Sequence, residues 1–287
     1  SEMCIRDRFK LPVSILREVA KSTAGNLKLN EDAKAINVSG SDFKITIDKT
    51  TGWVKAIEKK GKSLLEMPLE PNFWRAPTDN DFGNKMPEKS AIWKAIVNDF
   101  EVRQITNTQD ILGLVQVDVD YVIPTLGNQT ASVSYKIYGD GTLSVHSEFD
   151  FLNHRLPEIP RIGFRTRIKP EFDSFSYFGR GPHENYVDRN TSALVGLYES
   201  PVKDQRFKYA RPQENGYKTD VRWARLENSK GNIIEVSSNG TFGTSAMPYA
   251  QESFDDGGEK EQRHPEDVAL EPYVEWHIDK LQRGVGG

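Results

Sequence analysis

No run of ~18 apolar residues interrupts the sequence, so no helix in it is long and apolar enough to cross a membrane. Cysteine is nearly absent. Cys4 is the only one among 287 residues, which excludes an internal disulfide framework and a cysteine-ligated zinc site. An excess of positive charge is also missing. Against 38 Lys and Arg stand 42 Asp and Glu, a formal charge of −4, which lacks the electrostatic footprint of a duplex nucleic-acid binder. Neither nucleic acid nor a membrane is expected as a partner. No Gly-x-Ser-x-Gly, phosphate-loop, His-Glu-x-x-His or dinucleotide fingerprint occurs, and there is no internal repeat or low-complexity tract. What is present is a core-forming complement of 14 Phe, 10 Tyr and 5 Trp, enough to argue against disorder.

The patterning is β almost throughout. Phe43, Ile45 and Ile47 alternate with Lys44, Thr46 and Asp48, the period-two signature of a half-buried strand. A turn at Lys49–Gly52 then returns the chain through Trp53–Glu58 as a hairpin. Val115 to Ile123 alternates up to Pro124, and Val133 to Ile137 up to the Gly139-Asp140-Gly141 turn, beyond which Leu143 to Phe151 continues. Further alternating sets are Ile162–Ile168, Val221–Leu226, Asn232–Ser237 and Val274–Ile278. Short strands separated by turn chemistry predict an all-β antiparallel sandwich or barrel. One short helix is predicted near residues 88–100, where Trp93, Ile96, Val97 and Phe100 fall at i, i+3, i+4 and i+7. A weaker helical pattern covers Ser14–Lys21.

Three polar segments could carry chemistry. Asn72–Gly83 (NFWRAPTDNDFG) joins an aromatic pair to Asp79, Asn80, Asp81 and Gly83. Such groups stabilise irregular loops by bonding to their own backbone, and they also suit sugar hydroxyls. Gly179–Arg189 (GRGPHENYVDR) holds Arg180, His183, Glu184 and Asp188. His183 and Glu184 are adjacent, so in an extended segment they point apart and do not converge on one reacting atom; a charge network is the simpler reading. Arg211–Gly216 contains Gln213, Glu214 and Asn215, which serve turns and sugar contacts alike. Glu275, His277 and Asp279 share one face of a strand. A metal could use that spacing, but a solvated sheet face is the expected reading. Asp255–Glu261 reads as a solvated charged loop.

Taken in order, NFWRAPTDNDFG, GRGPHENYVDR, Pro212–Gly216 (PQENG) and Trp276–Gly287 (WHIDKLQRGVGG) resemble the C-terminal, small-chain domain of the large beta-galactosidases of glycoside hydrolase family 2. The resemblance covers about Leu27 to Gly287. It implies a large antiparallel supersandwich of the galactose-mutarotase-like type. Residues 1–8 (SEMCIRDR), charged and without an apolar stretch, read as a non-native extension; the resemblance makes 9–35 the tail of a preceding immunoglobulin-like domain with a linker, and 36–287 the sandwich domain, truncated at its C-terminus. It further implies that the parent enzyme hydrolyses terminal β-D-galactosides with retention. Both glutamates would lie in an upstream TIM barrel, so this chain alone is expected to be inactive. Asp79, Asn80, Asp81 and Gly83 would border the substrate pocket or anchor a mobile loop. Arg180, His183, Glu184, Asp188, Glu214 and Asn215 would belong to the framework. No cofactor is implied in this chain, and magnesium and sodium only in the parent. The implied partners are a β-galactoside, the upstream barrel and immunoglobulin-like domains, and a homo-oligomer. Two other readings of the same fold class are an aldose epimerase and a stand-alone carbohydrate-binding module. The compartment is not indicated, since scarce cysteine fits cytoplasm and periplasm alike.

Overall fold

The computed structural model of the chain describes residues 26–110, 114–151, 155–255 and 263–286. They form two compact units, one from 26–71 and 92–158, the other from 72–91 and 159–286. Both are antiparallel β, as the alternating pattern predicts. The helical pattern at Ser14–Lys21 and most of the charged loop after Asp255 lie outside the described residues.

In the first unit, β1 (Lys28–Glu31), β2 (Ala35–Ser39), β3 (Phe43–Asp48), β4 (Val54–Lys59) and β6 (Leu65–Asn72) follow one another across one sheet, with the short β5 (Lys62–Ser63) paired to β4. A second sheet runs β10-β9-β8-β7, from β7 (Glu101–Gln109), β8 (Val115–Ile123), β9 (Gln129–Ile137) and β10 (Leu143–Asp150). Alternation decides which side chains turn inward. Ile36, Val38, Ile45 and Ile47 are buried from one sheet, and Val115, Val117, Val119, Val133 and Tyr135 from the other. Trp53 stacks on Tyr121 at 4.8 Å between ring centres, and Phe100 meets both rings. The turn before Trp53 needs glycine. Gly52 has φ +72°, and a Cβ there would lie 2.1 Å from the Tyr121 hydroxyl.

The second unit holds six strands in the order β11-β16-β15-β14-β12-β13. They are β11 (Arg161–Ile168), β12 (Ser174–Gly181), β13 (Leu194–Pro201), β14 (Lys218–Glu227), β15 (Ile233–Met247) and β16 (Val274–Gln282). Two short helices, α1 (Asp79–Asn84) and α2 (Met86–Lys89), precede them in the chain.

The predicted helix near 88–100 takes a different form. The helical region begins earlier, at Asp79, and continues through two 3-10 turns, Ala91–Lys94 and Ile96–Asp99. Ala95, at φ −123° and ψ 8°, breaks the α path between them. The apolar stripe is still used, since Trp93, Ile96 and Phe100 are buried.

Candidate functional site

The polar segments singled out in the sequence meet within the second unit. In the first of them Phe73 and Trp74 are buried, and Arg75 and Asp81 form an ion pair with both side chains at 0% exposure. The pair is bidentate, Nη1 to Oδ2 at 2.6 Å and Nη2 to Oδ1 at 3.1 Å. Asp81 also accepts from the Thr78 backbone N–H and hydroxyl, closing a capping box that starts α1. That leaves Asp79, Asn80 and Gly83 on the exposed side. Gly83 lies inside α1 with open space around it and a φ outside the left-handed region, so nothing in the backbone there requires glycine.

The chain segment after β16 runs against this turn. Arg75 Nη2 donates to Gly284 O at 3.0 Å, and Asn80 Nδ2 donates to Val285 O at 2.9 Å. From the second motif, Asp188 Oδ2 accepts from the Gly286 N–H at 2.6 Å. A Cβ on Gly284 would sit 2.5 Å from the Asp188 carboxyl carbon, so the close approach itself selects glycine. Val285 is buried with Tyr186 and Tyr217. Gln213 of the third motif accepts from the Asp79 N–H at 3.4 Å, and Arg211 lies 3.6 Å from the Asp79 carboxylate. The first and second motifs thus clasp residues 284–286 of the fourth, and the third braces α1 at Asp79.

The remaining motif residues build the frame beneath it. Glu184 is buried, accepts from the Gly216 N–H at 2.7 Å and from Arg189 at 2.5 Å, and receives the Tyr209 hydroxyl. Burial pushes its carboxyl above the usual range, against the pull of Gly216, Arg189 and Lys218. Lys218 donates to Gly216 O at 3.0 Å, and burial lowers it to about 8. Asn185 accepts from the Thr219 N–H and hydroxyl of β14 and donates to Arg180 O of β12, tying the two strands. Arg180 pairs with Asp220 at 2.6 Å, while the exposed His183 ring lies 3.1 Å from the Ser192 hydroxyl. His183 and Glu184 therefore diverge, one to solvent and one inward.

Glu214 and the trio on β16 were not expected to meet. The structure joins them through Arg161, and it corrects the reading of Glu275, His277 and Asp279 as a solvated face, since all three are buried. Strand β16 is interior to the sheet, flanked by β11 and β15, and its charged face meets Arg161 and Arg167 of β11 together with Asn72. Arg161 donates to Gln251 (3.0 Å), Glu214 (3.0 Å) and Gln282 (2.9 Å), and its Nε lies 3.2 Å from Asp279. Its Nη1 also approaches His277 Nδ1 at 2.8 Å, as Asn72 Nδ2 does at 3.2 Å. Two donors on Nδ1 place the His277 proton on Nε2, which reaches Glu275 Oε1 at 3.2 Å. Burial and Arg161 lower the His277 pKa, so the ring is neutral. For Glu275 burial acts upward, but the His277 bond together with Arg165 and Arg167 wins and holds it at about 2. Asp279 goes the other way, raised to about 7 by burial that outweighs Arg161.

The chemical capacity of this cluster is limited by space. The cavity at its centre, between Arg161, Glu214, Asn215, Gln251, Glu275 and His277, measures about 10 Å³. That is room on the scale of one water molecule and not of a sugar. Among the described residues no group of three His, Cys, Asp or Glu is arranged to hold a metal ion, and arginines already occupy the β16 carboxylates. A roomier groove of about 330 Å³ lies in the first unit, lined by Asp48, Trp53, Lys55, Glu70 and Phe100 among others, none of them from the four motifs.

Comparison with known proteins gives these motifs their context. The family model described as "Beta galactosidase small chain" matches residues 39–287. The chain belongs to this family. Three relatives of the small-chain domain are beta-galactosidases. That of Priestia megaterium is 34% identical, covering 98% of this chain and 26% of the relative. Those of Actinobacillus pleuropneumoniae (31% identical) and Halalkalibacterium halodurans (28%) each cover 93% of this chain and 25% and 26% of their own length. The chain spans about a quarter of the length of these relatives.

Several residues that hold this small-chain site together escaped the sequence reading. Arg75 stood inside a quoted motif without a role. Arg161 lies in a strand whose even-numbered residues, Ile162 to Ile168, were expected inside. The odd-numbered face is covered as well: Arg161, Arg165 and Arg167 share it and meet Asp279 and Glu275 of β16. Thr78-x-x-Asp81 was a readable helix start, of the capping-box form with Asp in place of Glu.

Proposed function

We propose that this chain is the small-chain domain of a larger enzyme that hydrolyses terminal β-galactosides with retention, and that it borders the substrate pocket while carboxylates elsewhere break the bond. The observation that carries the reading is the clasp. Arg75 and Asn80 of the first motif and Asp188 of the second fix residues 284–286 of the fourth against α1, and Asp79, Asn80 and Gly83 lie at the exposed edge of that turn. A retaining site needs two carboxyl groups about 5–5.5 Å apart and open to a sugar. Asp81, Glu184, Glu214, Glu275 and Asp279 are instead buried among arginines, a lysine and backbone donors. The partners in this reading are a TIM barrel that supplies the glutamates, an immunoglobulin-like domain and further copies of the enzyme. Any magnesium or sodium is assigned in this reading to those other domains.

Kinetics of the longer enzyme test this. Asn80→Ala is expected to raise KM for a chromogenic β-galactoside and to change kcat little, because it loosens a rim contact. Glu184→Gln should leave most of kcat. A kcat loss of about 10²–10⁴ in the Glu184 variant, the size expected for a removed acid–base group, would place chemistry inside this chain and overturn the proposal.

A further inference from the structure

The sequence holds two Asn-Gly pairs, Asn215-Gly216 and Asn239-Gly240, and the fold treats them oppositely. Asn-Gly is the pair most open to an internal reaction, because glycine has no side chain to shield its backbone nitrogen. In that reaction the following N–H attacks the Asn side-chain carbonyl. In the third motif this nitrogen is engaged: the Gly216 N–H donates to Glu184 Oε2 at 2.7 Å. The Asn215 amide is held as well, its Nδ2 donating to Gln213 O at 2.8 Å, and the residue is only 3% exposed. Gly216 is further fixed at φ +77°, with Met247 and Gln205 O close by.

The second pair sits in a bulge. Strand β15 pairs with β14 at Trp223↔Ser237 and again at Val221↔Phe242. Against the single Arg222 between those partners, β15 carries Ser238, Asn239, Gly240 and Thr241, and its pairing with β16 begins only at Gly243. Asn239 and Gly240 are both exposed. No heavy atom lies within 4 Å of where a Gly240 Cβ would be. The Gly240 N–H has one contact, to the neighbouring Ser238 hydroxyl at 3.2 Å, which moves with the same loop.

We propose that Asn239 is a site of spontaneous deamidation and that Asn215, with the same sequence neighbour, is protected by the fold. The Gly240 nitrogen forms a bond to Asn239 Cγ, and the Cγ–Nδ2 bond breaks. The departing nitrogen takes the amide proton and leaves as ammonia, giving a five-membered succinimide. Water then opens either carbonyl to give aspartate or isoaspartate. No oxidant, metal or second protein is needed. The product places a negative charge on the bulge, and in the iso form it adds one methylene to the backbone where no ladder bond is lost.

The test is peptide mapping by mass spectrometry after incubating the folded chain at mildly alkaline pH. The fraction converted at Asn239 is expected to exceed that at Asn215 by at least about tenfold, because Gly216 must first give up a charge-assisted hydrogen bond. Gly240→Ala, which the open space tolerates, should slow conversion at Asn239. In concentrated denaturant the two sites should become comparable, which assigns the difference to the fold. Equal conversion in the folded chain would overturn the proposal. So would an unmodified Asn239 under conditions where a free peptide of residues 237–242 deamidates.

Discussion

Asp81→Asn keeps the volume of the side chain and removes the charge against which Arg75 is buried. Both partners are at 0% exposure, so no solvent compensates. The native carboxylate accepts two bonds from Arg75, of 2.6 and 3.1 Å, two from Thr78, of 2.8 and 2.9 Å, and a longer one from Arg283, of 3.4 Å. After substitution Arg75 keeps the carbonyls of Ala76 and Gly284 and at most one neutral acceptor oxygen at position 81, while the new NH2 faces its other donor. Removing one member of a buried ion pair costs about 3–5 kcal/mol, because the other charge stays buried and uncompensated. That is a large share of the ~5–15 kcal/mol that holds a domain together. Urea unfolding should show a much lower midpoint with an unchanged slope. The pair itself is worth far less than the single variant suggests. Arg75→Met combined with Asp81→Leu should therefore be less destabilised than the sum of its two single changes. The reasoning fails if Asp81→Asn stays within about 0.5 kcal/mol of the parent, or if the double variant equals that sum.

Other perturbations address separate parts of the structure. Gly284→Ala should cost about 1–3 kcal/mol by forcing a Cβ into Asp188, and Asp188→Gly should recover part of the loss in a double-mutant cycle read by thermal unfolding. Gly52→Ala should destabilise the first unit by at least about 1–3 kcal/mol, through the clash with Tyr121 and the strain of φ +72°; a neutral result would contradict the packing around Trp53. Glu275 titrates lower in the folded chain, at about 2, than its ordinary 4.5. Its stabilisation is therefore fully present above about pH 4.5 and is lost as pH falls toward 2. Glu275→Gln should flatten that acid limb in pH-dependent unfolding, and an unchanged limb would show that the arginines beside it do not set its titration.

How much of this was readable varied with the backbone. Where a strand is regular, residue types alone gave its bounds and inner face: Val115–Ile123 and Phe43–Asp48 alternate in sequence and in burial alike. Where both faces of a strand are covered, alternation points to only one of them, and Arg161 was lost for that reason. Glu275, His277 and Asp279 look like an outer face because charged residues usually are one. Only long-range pairing brings Arg161, 114 or more positions earlier in the chain, alongside them. The motifs themselves were legible as unusual segments, but their shared target was not. Residues 284–286 are glycine and valine, and they become a site only when Asn80, Arg75 and Asp188 fold onto them. The stripe Trp93, Ile96, Val97 and Phe100 gave correct burial for three of its members with the wrong helix geometry, since i+3 and i+4 spacing cannot tell two 3-10 turns from one α-helix.

The most direct test of a framing role for this domain is hydrolysis of a chromogenic β-galactoside by the purified chain, measured beside a longer enzyme that contains it. The expected result is turnover by the longer enzyme and none by the chain. Turnover by the chain itself, abolished by changing a carboxylate within residues 72–286, would contradict the assignment of bond cleavage to other domains.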